Sequence, residues 1–214
     1  MIGRHPDPRL APEQLTLAWQ SASLLLDYPD DGLWDRMSLI RSAGDQLPAP
    51  VGVPQKDFVD HVERTSPVDL AADYVRTFDH QRRCCLFLSY FSSGDTRKRG
   101  VALLRFKQTY LRSGLLLADD ELPDHLAVVL EYAALTDQRL GWKLLLDYRA
   151  GLELLRLALR ELESPWALVL ESVHATLPPL RGDERDQVMR LAQEGPPEED
   201  VGLEPFAPLG GGRR

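Results

Sequence analysis

The sequence predicts an all-α protein, a single-domain helical bundle followed by a disordered tail. Nearly every apolar pattern repeats at the three- to four-residue spacing of an amphipathic helix. No turn dipeptide typical of a β-hairpin lies between two alternating apolar segments. With 214 residues, 43% of them hydrophobic, the chain is long enough for one well-buried core and is not composed like a disordered protein.

The first part of the chain contains four helical patterns. Ser66 and Pro67 are typical of a helix start, because serine caps the N-terminus and proline fits the first turn. Residues 42–54 contain three prolines and two glycines, which predicts a loop. The expected helices run from about Pro12 to Tyr28, from Asp31 through Ile40, around Phe58 to Val62, and from Pro67 through Phe78.

The second part predicts longer helices. Gly114 is a stop signal, and the Ser164-Pro165 pair repeats the serine–proline start. We expect residues 1–11 to be a flexible N-terminus, 12–194 the helical domain and 195–214 a disordered tail. The expected helices run from Asp95 to Ser113, Pro123 to Leu135, Asp137 to Glu163, Pro165 to Leu177 and Asp183 to Gln193.

Composition and charge exclude several classes of function. The formal net charge of -8 argues against nucleic-acid binding through an overall basic surface. The two adjacent cysteines cannot close a stabilising loop, which suits a reducing compartment. The N-terminus lacks the apolar run of a secretion signal, and no apolar run approaches the length of a membrane span. We therefore expect a cytoplasmic protein without stable membrane association.

Residues 79–100 combine basic and apolar residues in one short segment. Cys84 and Cys85 invite a metal or redox interpretation, but metal sites need ligands that converge from separated positions, and the sequence supplies no such set. The cysteines are therefore interpreted as core thiols beside Leu86 and Phe87. No metal site is expected.

Two cations on the following helix depart from the expected pattern. Most cations of this helix form a solvated stripe, whereas Arg99 and Lys107 lie in or beside its apolar sector. A cation in that position must be paired, extend to solvent or contact a ligand. Two alternatives remain open: an intramolecular ion pair, with Asp79 or Glu131 as partner, or a ligand contact.

Asp124 and His125 have a structural and a functional interpretation. The pair superficially resembles the His-Asp doublet of metal-dependent phosphohydrolases, but the order is reversed and the other ligand pairs are missing. An acid in a first helical turn is favourable for the helix dipole, which explains Asp124. His125 shares a face with Val128, Val129 and Tyr132, so it suits a core histidine. We expect no catalytic role for this pair.

Three segments carry a resemblance to a known family. They read YVRTFDHQRRCCLFLSYFSSGDTRKRGVALLRFKQTY, DDELPDHLAVVLEYAAL and SPWALVLESVHATLP. Together with Leu26-Asp27-Tyr28-Pro29, they resemble the NarJ-type chaperones, the delta subunit of respiratory nitrate reductase. These chaperones belong to the wider TorD/DmsD group of redox-enzyme maturation proteins, and the resemblance covers about Leu15 to Pro178.

The resemblance implies an all-helical chaperone and not an enzyme. Such proteins bind the N-terminal segment of the apo nitrate reductase catalytic (alpha) subunit while molybdopterin guanine dinucleotide is inserted, and they are absent from the mature complex. They hold no permanent cofactor. The Leu122-Pro123-Asp124-His125-Leu126 motif with Glu131-Tyr132 matches an element implicated in signal-peptide recognition.

A client peptide in a groove needs an apolar floor and charged rims. The residues expected to bind it are Tyr74, Phe78, Leu86, Tyr90, Phe106 and Tyr110 in the floor, the acids Asp119, Asp120, Glu121 and Asp124, and Arg99, Lys107, His125 and Tyr132. The alternative is a carrier that itself binds the molybdopterin cofactor. Its phosphates would contact Arg82, Arg83, Arg97 and Arg99.

Overall fold

The computed structural model describes residues 10–94, 96–118, 121–195 and 197, and within these ranges it contains helices and no strand. A π-helical turn, Val75–Asp79, and a 3-10 turn, Arg82–Cys84, lie between α4 and α5. The α-helices are α1 Pro12–Leu26, α2 Asp31–Asp45, α3 Ala49–Arg64, α4 Pro67–Tyr74, α5 Leu88–Ser93, α6 Arg97–Arg112, α7 Leu126–Leu135, α8 Gln138–Asp147, α9 Arg149–Glu161, α10 Trp166–Thr176 and α11 Gly182–Glu194. The predicted all-α fold is confirmed.

Helix α1 lies at the centre of the bundle and packs against α7, α10 and α2. Its Trp19 is fully buried, and the indole Nε1 donates a hydrogen bond of 3.0 Å to Thr176 Oγ1. Trp166 on α10 is also buried and donates from Nε1 to the Leu25 carbonyl oxygen at 3.2 Å. Because a buried indole N–H needs an acceptor, these bonds fix α10 against α1.

The loop predicted for residues 42–54 is wrong. α2 continues to Asp45 and α3 already begins at Ala49, with Pro54 inside it. The glycines serve packing, because a Cβ on Gly52 would lie 2.1 Å from the Gly44 carbonyl oxygen. Glycine, which favours loops in isolation, here allows two helices to approach closely, and Pro54 is accommodated within α3.

The single long helix predicted for Asp137 to Glu163 is divided in two at Tyr148. The Tyr148 ring stacks on Phe106 of α6, with ring centroids 4.9 Å apart, so the break anchors this side chain in the bundle. The helix predicted from Pro123 begins three residues later, at Leu126. These differences in helix boundaries come from tertiary packing, which the spacing of apolar residues does not predict.

Several helix starts agree with the prediction. The Ser66 side chain caps α4 by accepting a hydrogen bond from the Asp69 N–H at 3.2 Å. The predicted disordered tail at 195–214 and the flexible N-terminus at 1–11 lie almost entirely outside the described residues. Among the helices described, we find none with the length and apolarity needed to cross a bilayer.

Candidate functional site

Two segments that the sequence separates are joined at one junction. Phe87 and His125 form an isolated antiparallel bridge. The Leu88 N–H donates to the Asp124 carbonyl oxygen at 2.9 Å, and the Leu126 N–H donates to the Leu86 carbonyl oxygen at 2.9 Å. The start of α5 is thereby fixed beside the start of α7. Residues 79–100 and the Pro-Asp-His-Leu motif therefore form one structural unit.

Asp124 is fully buried at this junction and supports α5. Its Oδ2 accepts hydrogen bonds from the Ser89 hydroxyl at 2.5 Å and from the Ser89 N–H at 3.3 Å, so it caps the first turn of α5. In this structure the Asp124 side chain is not accessible to a peptide on the surface, and its contact with the client stays a prediction. Its expected position in a first helical turn is corrected, since the helix it caps is α5.

Arg99 forms an intramolecular ion pair, which is one of the two alternatives left open by the sequence. Its partner in this pair is Asp124, and not Asp79 or Glu131 as expected. Its guanidinium lies 3.8 Å from Asp124 Oδ2 and 5.1 Å from the centre of the Phe87 ring. The side chain is 20% exposed. The positive charge of Arg99 therefore interacts with groups of the junction, because the Asp124 carboxylate and the face of the Phe87 ring both attract a cation.

A surface groove of about 290 Å³ opens beside the junction, between α1 and α7. We call it the acidic groove. Its walls are formed by the side chains of Ser23, Asp27, Phe87, Glu121, Leu122, His125, Ala127, Val128 and Glu131. Phe87, Leu122 and Val128 supply apolar surface, whereas the three acids supply negative charge. The groove therefore suits a ligand that is both apolar and cationic.

The electrostatics of the groove also favour a cation. Partial desolvation, together with the neighbouring carboxylates of Glu121 and Asp27, raises the pKa of Glu131 above its ordinary value. Among the described residues, none of these three acids has a cationic partner within ion-pair distance. A bound lysine or arginine side chain would relieve this repulsion.

His125 lines the same groove and is half-buried. Burial lowers the pKa of its imidazole, although the nearby Asp27 and Asp124 act in the opposite direction. The ring meets Phe87 edge to face, with centroids 5.3 Å apart. A neutral imidazole in this position offers a flat, partly polar surface to a ligand.

The residues predicted to form an aromatic floor are buried in the core, and their contact with a client stays a prediction. Tyr74 and Phe78 pack around Trp166, and the Tyr74 hydroxyl donates to the Leu26 carbonyl oxygen at 3.1 Å. The remaining buried members of the predicted floor and rim are Leu86, Phe106, Tyr110 and Tyr132, all at most 3% exposed. Their hydroxyl groups, where present, have partners inside the protein. None of these residues lines the acidic groove.

Other predicted residues lie elsewhere. Tyr90, although only 8% exposed, lines a different pocket, together with Arg82 and Arg83. Lys107 is exposed on α6, so its charge reaches solvent directly. Asp119 and Asp120 lie outside the described residues. Of the predicted client-binding residues, the structure places two, Glu121 and His125, in the acidic groove.

The arginines proposed to contact cofactor phosphates do not form one cluster. Arg83 is paired with Glu161 at 2.9 Å, and Arg99 faces Asp124. Arg97 is exposed at the start of α6 and does not line the pocket of Arg82 and Arg83. In the described part of the chain, the arginines therefore lack the shared concave site that a dinucleotide would need.

The cysteine pair behaves as predicted. Cys84 is fully buried, and burial raises the pKa of its thiol to about 11, which makes it unreactive at neutral pH. Cys85 packs at the edge of the same core. Within the described ranges, no three His, Cys, Asp or Glu side chains are arranged to hold a metal ion.

Asp27, Phe87 and Val128 were not predicted as site residues. Asp27 ends α1, about a hundred residues from α7, so periodicity gives no reason to place it beside Glu131. A signal was nevertheless present in the Leu26-Asp27-Tyr28-Pro29 element, which carries part of the family resemblance. Phe87 was interpreted only as a core residue.

Comparisons with known proteins agree with this architecture. The chain resembles a putative redox enzyme maturation protein from Archaeoglobus fulgidus, with a TM-score of 0.52 and 20% identity over 90% of this chain and 98% of that one. At this identity the likeness shows a common fold.

Other known proteins have a higher sequence identity to this chain. The chain is 32% identical to the probable nitrate reductase molybdenum cofactor assembly chaperone NarJ of Bacillus subtilis, over 75% of this chain and 88% of that protein. It is 33% identical to NarJ of Escherichia coli K12, over 70% of this chain and 64% of that protein.

The chain is also 37% identical to the nitrate reductase-like protein NarX of Mycobacterium tuberculosis, over 75% of its own length, but it spans only 24% of that protein. Residues 44–171 match the family described as nitrate reductase delta subunit. This range includes the junction and most of the acidic groove. The chain therefore belongs to the nitrate reductase delta subunit family.

Proposed function

We propose that this protein is an assembly chaperone for a nitrate reductase and not an enzyme. In this proposal it binds the N-terminal segment of the apo catalytic subunit in the cytoplasm and supports insertion of the molybdenum cofactor. It then leaves before the complex is mature. The relatives in Bacillus subtilis and Escherichia coli, whose names describe such chaperones, support this assignment.

The observation that carries the proposed binding site is the convergence of three carboxylates around an apolar wall. Asp27, Glu121 and Glu131 line one groove with Phe87 and Leu122. A helical peptide with basic residues on one side and apolar residues on the other satisfies both surfaces. We propose that the acidic groove holds such a segment, with its cations toward the carboxylates.

The experiment is titration calorimetry of the full chain with a synthetic peptide from the N-terminus of the catalytic subunit. We expect binding that weakens as salt rises, because the attraction between opposite charges is screened. A peptide with its lysines and arginines replaced by glutamine should bind more weakly. An absence of heat at high micromolar concentration, together with no competition, would contradict the proposal.

A matched pair of variants locates the site. Glu131→Gln removes one negative charge from the groove, whereas Asp57→Asn removes one from the exposed surface of α3. We expect only the first to weaken binding. Equal effects of the two variants would show that net charge, and not the groove, attracts the peptide.

A further inference from the structure

A second concave surface lies between α6 and α8, and we call it the basic groove. Its volume is about 570 Å³, which is within the range of cavities that hold ligands. It shares no residue with the acidic groove. The side chains that give it its chemical character are those of Arg105, Arg112, Leu140, Lys143, Leu144 and Tyr148.

The α6 wall of the basic groove carries positive charge. Helix α6 contains six Lys or Arg residues and no Asp or Glu. Its Arg105 and Arg112 line the groove, and neither has an acidic partner among the described residues. Across the groove, Lys143 pairs with Asp147. The two arginines therefore present uncompensated positive charge, in a protein whose formal net charge is -8.

The α8 wall of the basic groove is largely apolar. Leu140 and Leu144 lie on the same side of α8, and Tyr148 continues their four-residue spacing. The Tyr148 ring stacks on Phe106, but its hydroxyl group has no hydrogen-bond partner in the described part of the chain. Burial raises the pKa of this phenol, so the hydroxyl remains a neutral donor at neutral pH. A ligand would therefore contact apolar surface and one hydroxyl donor on this wall.

The spacing of the two arginines favours an extended ligand with two separate negative charges. Arg105 and Arg112 are seven residues apart, so their Cα atoms are about 10.5 Å apart along the axis of α6. A guanidinium group binds a carboxylate through paired hydrogen bonds. Two carboxylates seven residues apart on a second helix have the same separation, and apolar side chains between them would lie on the same face.

We propose that the basic groove binds an acidic amphipathic helix of a partner protein. Two carboxylates of that helix pair with Arg105 and Arg112, and the apolar side chains between them pack on Leu140 and Leu144. A flat lipid surface fits less well, because the apolar wall lies inside a concavity that a bilayer would not enter. The partner differs from the basic client peptide of the acidic groove, since the required charge is opposite, and neither site needs the other to be occupied.

Fluorescence anisotropy of a labelled synthetic peptide tests this site in the full chain. The peptide is a 16-residue helix with two glutamates seven residues apart and leucines between them on the same face. We expect saturable binding that weakens as salt rises. Arg105→Gln combined with Arg112→Gln should weaken binding at least about threefold. The control, Lys98→Gln with Lys107→Gln, removes the same charge from exposed positions of α6 outside the groove and should leave the affinity unchanged.

Reversed charges provide a second arm of the experiment. Arg105→Glu with Arg112→Glu should abolish binding of the glutamate peptide and should create binding of the same peptide with lysines in place of its glutamates. Glu131→Gln, in the acidic groove, should leave the affinity for the glutamate peptide unchanged, which separates this site from the client site. Circular dichroism of each variant checks that the helices are retained.

Three results would overturn the proposal. Equal losses of affinity in the two glutamine variants would show that net charge alone attracts the peptide. Equal binding of a peptide whose glutamates lie on opposite faces would show that the spacing of the arginines is not used. Association with phosphatidylglycerol vesicles, without binding of the peptide, would assign the surface to lipid.

Discussion

Asp124 caps the first turn of α5 by accepting hydrogen bonds from both the hydroxyl and the N–H of Ser89, although 35 residues separate the two. This pair forms a buried polar contact between the Pro-Asp-His-Leu motif and residues 79–100. The motif therefore has a structural function that is separate from ligand contact. The two functions predict different consequences of mutation.

Asp124→Ala should lower the free energy of unfolding by about 2–4 kcal/mol, because it leaves Ser89 and Arg99 without their buried partner. Urea denaturation measures the change. The Asp57→Ala variant, on an exposed position of α3, serves as the control and should change the unfolding free energy by less than about 0.5 kcal/mol. A stable Asp124→Ala protein that no longer binds the client peptide would contradict the capping role.

Glu131→Gln should change affinity and stability in opposite directions. Removing the charge should weaken binding of a basic client peptide about three- to tenfold, as expected for one partly exposed ion pair. The free energy of unfolding should stay equal or rise slightly, because the raised pKa of Glu131 shows that its charge is disfavoured in the folded protein. Calorimetry and urea denaturation on the same preparation separate the two effects.

The ionic cluster between α9 and α10 should make the protein sensitive to acid. Burial alone would raise the pKa of Glu153, but hydrogen bonds from His174 and Arg156 outweigh it and lower that pKa to about 2. Since the unfolded carboxyl has a pKa of about 4.3, the unfolded state binds more protons between these values. Stability should therefore be full above about pH 4.5 and fall as the pH approaches 2, by roughly 3 kcal/mol in total.

Glu153→Gln provides the comparison for this pH dependence. The variant should be less stable than the parent at pH 6 and should lose less stability on acidification to pH 3, because the titrating group is gone. Thermal unfolding at a series of pH values measures both differences. Parallel curves for the two proteins would show that other acids account for the acid sensitivity.

Two glycine-to-alanine substitutions should have opposite effects. Gly52→Ala places a methyl group 2.1 Å from the Gly44 carbonyl oxygen, so α2 and α3 must separate, at a cost of about 1–3 kcal/mol. Gly100→Ala on α6 meets no atom within 4 Å and should stabilise the protein by about 0.5–1 kcal/mol. Chemical denaturation compares them directly. A neutral Gly52→Ala would mean that the helix contact is looser than described.

Most helices were predictable from sequence because each is long enough to show apolar periodicity, as α1 and α6 do. Proline and glycine gave ambiguous signals. In α3, Pro54 is accommodated within the helix, and Gly52 marks the close approach to α2, whereas the same residues predicted a loop. Neither Pro54 nor Gly52 carries information about the helix packed against it.

The candidate site was less predictable for a related reason. The apolar residues Phe106 and Tyr110 suit the floor of a groove as well as the core of a bundle. Only the packing of the helices distinguishes these two positions. Likewise, the charge of Arg99 required a partner, but the sequence did not show which of several acids the fold would bring to it. Asp27 and Glu131 meet because α1 and α7 pack together, which no local pattern reports.

The isolated bridge between Phe87 and His125 fixes the start of the short helix α5 beside the acidic groove. At the other end of α5, Gly94 lies against the backbone of Pro197. A six-residue helix held at both ends therefore connects the acidic groove to the contact at Pro197. If binding in the groove changes the stability of that contact, the contact changes the affinity of the groove by the same free energy.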